Sequence, residues 1–164
     1  MVPRIGGRLR SCRTAGEGDL IPITDAAGFD AEIRLADPGS AGGDPAALVV
    51  EHHLDDRAEL RAEALSGGHL LHLAVAGCLF NDILREARAR GIPVTDLRVS
   101  ADGGFDGDPM ISTRITYEVE IAGDAPEADL RRLVADCEAP AAIPHALRAG
   151  TTVDAGSIRV RGAS

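Results

Sequence analysis

A single cysteine within a helical pattern is the residue of this chain best suited to chemistry. Cys78 lies in the stretch LHLAVAGCLFNDILREARARG, residues 71–91, where apolar residues at helical spacing give way to polar ones. A thiolate is a strong nucleophile, but a thiol on an apolar helix face is usually only a small core residue. Reactivity requires a lowered pKa, and Asp82, one turn further on, would raise the pKa of the thiol. The residues alone leave both interpretations of Cys78 open.

The histidines are candidates for an activating base or for metal ligands. His69 is about 13 Å along the helix axis from Cys78 and on the opposite side of the helix, so it cannot activate the thiol within one chain, and the same holds for His72. His52 and His53 end a strand-like segment, where neighbouring side chains point to opposite faces. At most one of that pair could join the helical histidines at a zinc ion. We therefore expect no metal site.

The other two cysteines are Cys12, near the start of the chain, and Cys137. Three cysteines, odd in number and far apart, form neither a disulfide framework nor a zinc-type pair, so in a reducing compartment they should be free or redox-active. Cys137 follows Val134 at helical spacing and precedes a break at Pro140. Its two interpretations, core packing at a helix end and redox partnership with Cys78, both remain open.

Composition bounds the protein class. With 164 residues, 45% of them hydrophobic, the chain has the size and core of one domain. A net charge of −9 and only 2% aromatic residues disfavour nucleic acid and anionic membranes as partners. No run approaches the ~20 apolar residues of a membrane span, so a cytoplasmic location is expected. The glycine-rich stretch GGFDGDP leads into a strand rather than a helix, so no phosphate-bearing cofactor is expected, nor any other cofactor.

Residues 1–18 lack periodicity and are predicted to form a flexible arm, followed by a single domain over residues 19–164. Ser66 as N-cap and Gly91 with Pro93 at the other end place one long helix over about residues 67–90. The charged stretch DDRAELRAEAL before it is predicted to be a loop or short helix. The predicted strands are LIPIT, FDAEIRL, AALVVEHHL, PVTDLRVSA, MISTRITYEVEIAG and TTVDAGSIRVRG.

The strands PVTDLRVSA and MISTRITYEVEIAG are predicted to form a hairpin around the loop DGGFDGDP. Asp124 and Glu127 have the spacing of a capping box for a helix running to about Glu138, and AAIPHALRAG should form a shorter helix. The element order is typical of an α+β fold with antiparallel sheets. One face of the second hairpin strand should carry Ile111, Thr113, Ile115, Tyr117, Val119 and Ile121.

From about residue 66 to residue 153 the sequence resembles the OsmC/Ohr family of thiol-dependent peroxide reductases. The motifs that carry the resemblance are the small-residue helix AVAGCLF, the arginine-rich helix end before GIPV, the long hairpin and LRAGT near the end. The resemblance implies an OsmC-like fold, in which antiparallel sheets pack around a long central helix in an intertwined homodimer.

The resemblance also implies roles for two cysteines. In the family, the thiolate of the central helix attacks the peroxide O–O bond, becomes a sulfenic acid and is resolved by a second cysteine. Cys78 matches the attacking position. Alignment on LRAG puts Ala141 at the resolving position, with Cys137 about one helical turn earlier as the remaining candidate.

Two groups that activate the cysteine in the family are replaced here. Family members place a Glu ten residues before the cysteine, where this chain has Gly68, and an Arg in a GGRDG loop, where SAGGDPA has Gly42 and Gly43 instead. Another cation must then lower the pKa of Cys78. The arginines nearest in sequence to the replaced groups are Arg34, Arg57 and Arg61.

The sequence thus supports two hypotheses from different functional classes. In the first, a homodimer reduces organic or inorganic hydroperoxides through Cys78, with Cys137 or another thiol as the reductant. In the second, the same fold binds a small hydrophobic ligand at the dimer interface without turning it over. The reactivity of Cys78 separates them.

Overall fold

The computed structural model describes residues 31–35, 47–52, 54, 57–62 and 66–163. The predicted arm, the segment LIPIT, Cys12 and His53 lie outside the described residues. The helices are α1 (Gly67–Arg90), α2 (Glu127–Glu138) and α3 (Ala142–Leu147). The strands are β1 (Ala31–Leu35), β2 (Ala47–Glu51), β3 (Arg57–Ala62), β4 (Val94–Asp106), β5 (Ile111–Gly123) and β6 (Thr152–Arg161).

The described strands form one six-stranded sheet in the order β2-β3-β1-β4-β5-β6. Neighbouring strands are antiparallel except for β5 and β6, which are parallel. A parallel pair requires a crossover connection, and α2 and α3 provide it between β5 and β6. The fold is α+β, as predicted from the element order.

The central helix α1 has the predicted bounds because both of its ends are capped. The Ser66 hydroxyl accepts a hydrogen bond from the His69 N–H, and Gly91 ends the helix in the left-handed conformation with φ of 66°. Between the caps, α1 buries a face against the sheet that includes Val75, Leu79 and Ile83. This aliphatic contact is the centre of the core.

By length and composition alone, α1 would also pass as a membrane span, which the sequence analysis did not foresee. Half of its apolar window is buried inside the protein, however, against strands and helices of the same chain. Core helices commonly pass that test, and among the described residues α1 is the central helix of an α+β domain.

The segment DDRAELRAEAL was predicted wrongly, because it contains strand β3. Ala58 and Leu60 pack toward the core, while Glu59 and Arg61 point to the other face of the sheet, where Arg61 Nε lies 2.5 Å from Glu59 Oε1. Arg61 also lies 3.8 Å from Glu32 on β1. These charge contacts let a largely polar segment form a strand in which even Glu59 is buried.

The hairpin differs from its prediction at its outer end. β4 continues through Asp106 and changes register between Gly104 and Phe105, so most of the predicted loop is strand. On β5, the predicted inward face is buried from Ile115 to Ile121, whereas Ile111 is exposed. Residues 106–111 at the tip of the hairpin are all exposed.

The predicted capping box of α2 is also wrong. The helix begins at Glu127 after Pro126, and no side chain caps its first turn. Glu127 instead pairs with Arg131 on the outer surface of the helix, at 2.5 Å. The carboxylate still lies in the first turn, where it suits the helix dipole.

We expect Gly103→Ala to destabilise the fold. A Cβ at this position would lie 2.2 Å from the Arg114 carbonyl oxygen and 3.0 Å from His72 Nε2, so β4, β5 or α1 would have to shift. Such overpacking costs about 1–3 kcal/mol of unfolding free energy. Urea denaturation followed by circular dichroism measures the change.

Gly67→Ala is the matched control, because a Cβ there would meet no atom within 4 Å. Its unfolding free energy should stay within about 0.5 kcal/mol of the wild-type value. Equal stability of the two variants would contradict the close approach of β4 to β5 and α1 at Gly103.

Candidate thiol site

The Cys78 thiol lies at the junction of α1 with α3. Its side chain is half-buried against the core cluster, and its Sγ accepts a hydrogen bond from the Ile143 N–H at 3.5 Å. Ile143 belongs to the first turn of α3. A backbone N–H can stabilise negative charge that develops on an atom that it contacts during a reaction. Cys78 is therefore neither a fully buried core residue nor a freely solvated one.

An almost fully buried carboxylate lies beside this thiol. Asp82 Oδ2 is 3.9 Å from Cys78 Sγ, a long contact for sulfur, and Asp82 Oδ1 accepts from Asn81 Nδ2 at 3.2 Å. Arg85 lies 2.8 Å from Asp82 Oδ1, while its own side chain is 60% exposed. We call Cys78, Asn81, Asp82 and Arg85 together the thiol corner.

Cys137 lies on the inner face of α2 and is only 3% exposed. Its thiol pKa is raised to about 11, chiefly by burial and then by the negative charges of Asp82 and Glu86. The positive charges of Arg90 and Arg85 lower this pKa by less. Cys78 and Cys137 are both free thiols. The geometry of Cys137 is that of a core residue.

The arginines expected to activate Cys78 lie elsewhere. Arg34 alternates with Ile33, which is buried in the core with α1, and Arg61 alternates with core-facing Leu60. The strand register pairs Arg34 with Glu59 and Arg61 with Glu32, so both arginines lie on the sheet face away from α1. Neither can contact Cys78 of its own chain. The side chain of Arg57 lies outside the described residues.

His69 and His72 on α1, and His52 after β2, contact neighbouring side chains of the fold. His69 Nδ1 is 2.7 Å from the Ser66 hydroxyl at the helix start. His72 is fully buried, and its ring stacks on Phe105 at 6.3 Å between centroids. The His52 ring meets Phe80 edge-on at 5.5 Å. Among residues 31–35, 47–52, 54, 57–62 and 66–163, no three His, Cys, Asp or Glu side chains form a group that could hold a metal ion.

Two features of the site were missed by sequence reasoning. The sequence gives no sign that Ile143 reaches Cys78, because the two residues are 65 positions apart. Asp82 was recognised as an unfavourable charge, but its burial was not. Helical spacing offered that signal, since Asp82 lies three residues after the fully buried Leu79 and next to Ile83.

Residues 60–155 match the family described as "OsmC-like protein". No curated protein matches this chain significantly. The fold resembles a hypothetical protein from Aquifex aeolicus VF5, with a TM-score of 0.54 at 15% identity over 76% of this chain and 94% of that one. It also resembles an OsmC-like protein from Mycoplasma pneumoniae, with a TM-score of 0.53 at 12% identity over 70% and 95% of the two chains.

A third similar structure is an OsmC-like protein of unknown function from Vibrio cholerae, with a TM-score of 0.50 at 11% identity over 68% of this chain and 84% of that one. At these identities, the likeness concerns the fold alone. The roles of the side chains in the thiol corner must be argued from this chain.

Stability should fall at alkaline pH partly because of Cys137. Its pKa is raised in the folded state, which means that the fold disfavours the thiolate. The neutral thiol therefore stabilises the fold fully below the pKa that Cys137 has in the unfolded chain, and this stabilisation is lost as pH rises toward about 11. The loss should be on the order of 2 kcal/mol. Denaturant unfolding of wild type and Cys137→Ala across pH 8–11 measures the difference in slope.

Burial also raises the pKa of Tyr117, which acts in the same direction in both proteins, so only the difference between their slopes reports on Cys137. Parallel curves would mean that the Cys137 thiol ionises equally easily in the folded and unfolded states.

Proposed function

Because this chain belongs to the OsmC-like family, we propose that it is a thiol-dependent peroxidase that reduces hydroperoxides through Cys78. The observation that carries the proposal is the contrast between two thiols. Cys78 is partly accessible and accepts the Ile143 N–H, whereas Cys137 is buried with a pKa near 11. Only the first can meet a peroxide without opening the core.

The proposed reaction begins when the sulfur of Cys78 attacks the distal oxygen of the hydroperoxide. An S–O bond forms, the O–O bond breaks, and an alcohol or water leaves. Cys78 becomes a sulfenic acid, which a second thiol must reduce. The Ile143 N–H favours negative charge on sulfur during this attack.

A small external thiol is the better candidate for that second step. At neutral pH, a thiol with a pKa near 11 contributes only about one thiolate in ten thousand molecules, which makes buried Cys137 a slow resolver. The family's resolving position holds Ala141, a fully buried residue at the start of α3. Resolution by Cys137 stays a hypothesis that the same experiment tests.

The alternative function is binding of a small hydrophobic ligand without turnover. It is favoured by Gly68 in place of the family's carboxylate and by the position of Arg34 and Arg61 on the far face of the sheet. The Asp82 carboxylate beside the thiol also repels negative charge that develops on sulfur. If these effects dominate, Cys78 should behave as an ordinary thiol.

A homodimer is proposed for both functions. The face of α1 that carries Leu70, Ala74 and Gly77 lies away from the sheet, and Leu70 is 53% exposed. A Cβ on Gly77 would meet nothing within 4 Å, so another backbone has room to approach closely there. A second copy of α1 presents a face of matching apolar character.

Wild-type protein should reduce cumene hydroperoxide or hydrogen peroxide in single turnover at least tenfold faster than free cysteine reacts with the same peroxide, whereas Cys78→Ser should show no such reaction. Cys137→Ser should retain the rate. Stopped-flow kinetics measure the step, and mass mapping identifies the oxidised residue.

With a small thiol present, Cys137→Ser should also turn over at the wild-type rate. A disulfide between Cys78 and Cys137 in wild type, with a persistent sulfenic acid in Cys137→Ser, would instead establish Cys137 as the resolver. A wild-type rate equal to that of free cysteine would exclude the peroxidase and leave the binding protein.

Ala74→Glu should weaken the dimer, because a charge would enter the apolar contact between two copies of α1. We expect at least a tenfold increase in the dissociation constant, measured by analytical ultracentrifugation. Ala128→Glu is the control, because this exposed residue lies on α2. A wild-type protein that sediments as a monomer at micromolar concentration would contradict the proposal.

A further inference from the structure

We propose that Asp82 is the proton carrier for Cys78, taking the thiol proton as sulfur attacks and delivering it to the leaving oxygen. This inference rests on the peroxidase function proposed above. It assigns a positive role to a carboxylate that would otherwise only hinder the thiol.

The placement of Asp82 supports this role. One carboxylate oxygen contacts Cys78 Sγ at 3.9 Å, and the other is held by Asn81 at 3.2 Å and by Arg85 at 2.8 Å. Because both partners bind Oδ1, Oδ2 is left oriented toward the sulfur. These two contacts therefore fix the carboxylate in position and leave Oδ2 available to the Cys78 thiol.

A second observation comes from Asn81. Its Nδ2 donates to Asp82, and its Oδ1 is buried with no hydrogen-bond donor among the described residues. The two atoms belong to one amide group, so the unsatisfied acceptor lies next to the carboxylate. A buried acceptor of this kind is costly unless a donor reaches it, and the O–H of a hydroperoxide is such a donor.

The chemistry balances without any further reactant. The Cys78 S–H proton moves to Asp82 Oδ2, sulfur forms a bond to the distal peroxide oxygen with its hydrogen, and the O–O bond breaks. The departing alkoxide takes the proton from Asp82, which gives Cys78 sulfenic acid and an alcohol. Asp82 takes up the proton in the first step and gives it up in the second, so the carboxylate is unchanged at the end.

The charged and titratable groups around this corner are few. On α1, Asp82 has Arg85 beside it, and Glu86 and Arg90 follow on the same side. On α2, Cys137 and Asp136 face them, and Asp136 pairs with Arg90 at 2.8 Å. The contact from α3 is the uncharged Ile143 N–H. Among the described residues, Asp82 Oδ2 is the carboxylate oxygen that contacts Cys78 Sγ.

Two reactions of Cys78 distinguish whether Asp82 carries a proton or acts only through its negative charge. Alkylation by iodoacetamide expels iodide, which needs no proton, whereas peroxide reduction expels an alkoxide, which does. Asp82→Asn removes the charge and keeps the shape. It should accelerate alkylation of Cys78 at pH 7 by about two- to tenfold, because a negative charge beside the attacking sulfur is gone, and slow cumene hydroperoxide reduction about a hundredfold.

Glu86→Gln is the matched control, since it removes a nearby carboxylate that also acts on Cys137 but lies about two helical turns beyond Cys78. Its peroxide rate should stay within about twofold of wild type. If Asp82→Asn accelerates both reactions together, Asp82 is only an electrostatic neighbour and the inference is wrong.

A measurement on the wild-type protein covers the case in which Asp82→Asn fails to fold. Between about pH 5.5 and pH 7.5, the peroxide rate should depend on pH much less steeply than the alkylation rate, because only the peroxide reaction uses the internal proton carrier for its leaving group. Equal slopes would overturn the role of Asp82, while slow peroxide reaction at every pH would overturn the peroxidase function itself.

Discussion

The packing of α1 on the sheet determines where every part of the thiol corner lies. Val75, Leu79 and Ile83 are spaced so that they occupy one helix face, and their complete burial fixes the rotation of the helix about its axis. Cys78 precedes Leu79 by one position, so its side chain lies about 100° around the helix from the buried face. The half-buried state of the thiol is therefore a consequence of the core residues beside it.

The prediction for α1, which depended on local signals in the sequence, was correct, whereas the prediction for the β3 segment, which depended on distant contacts, was not. The bounds of α1 were predicted because Ser66 and Gly91 act locally on the backbone. Strand β3 was missed because its charged side chains are matched by residues on another strand, such as Glu32, which is 3.8 Å from Arg61. A local pattern shows the charge of a segment but not the cross-strand partner that makes it stable.

The candidate site was predictable to a similar extent. The position of Cys78 followed from its helix and from the family motif, whereas the contact with Ile143 depends on the path of α2 and α3 back over α1. The misplacement of Arg34 could have been avoided, since Ile33 is apolar and adjacent strand residues face opposite ways. Sequence distance to the replaced family residues was a poorer guide than strand alternation.

The electrostatics of the corner follow from these positions. Burial of Asp82 beside Cys78 and near Cys137 is unfavourable, because the carboxylate loses its contacts with water. The partners Arg85 and Asn81 compensate its desolvation, but an apolar residue of similar size would fill the same space without that cost. Stability thus gives no reason for a carboxylate at this position. A reaction in which a proton leaves sulfur and an alkoxide must be protonated does give one, because a buried group with a fixed free oxygen can serve both steps without waiting for solvent.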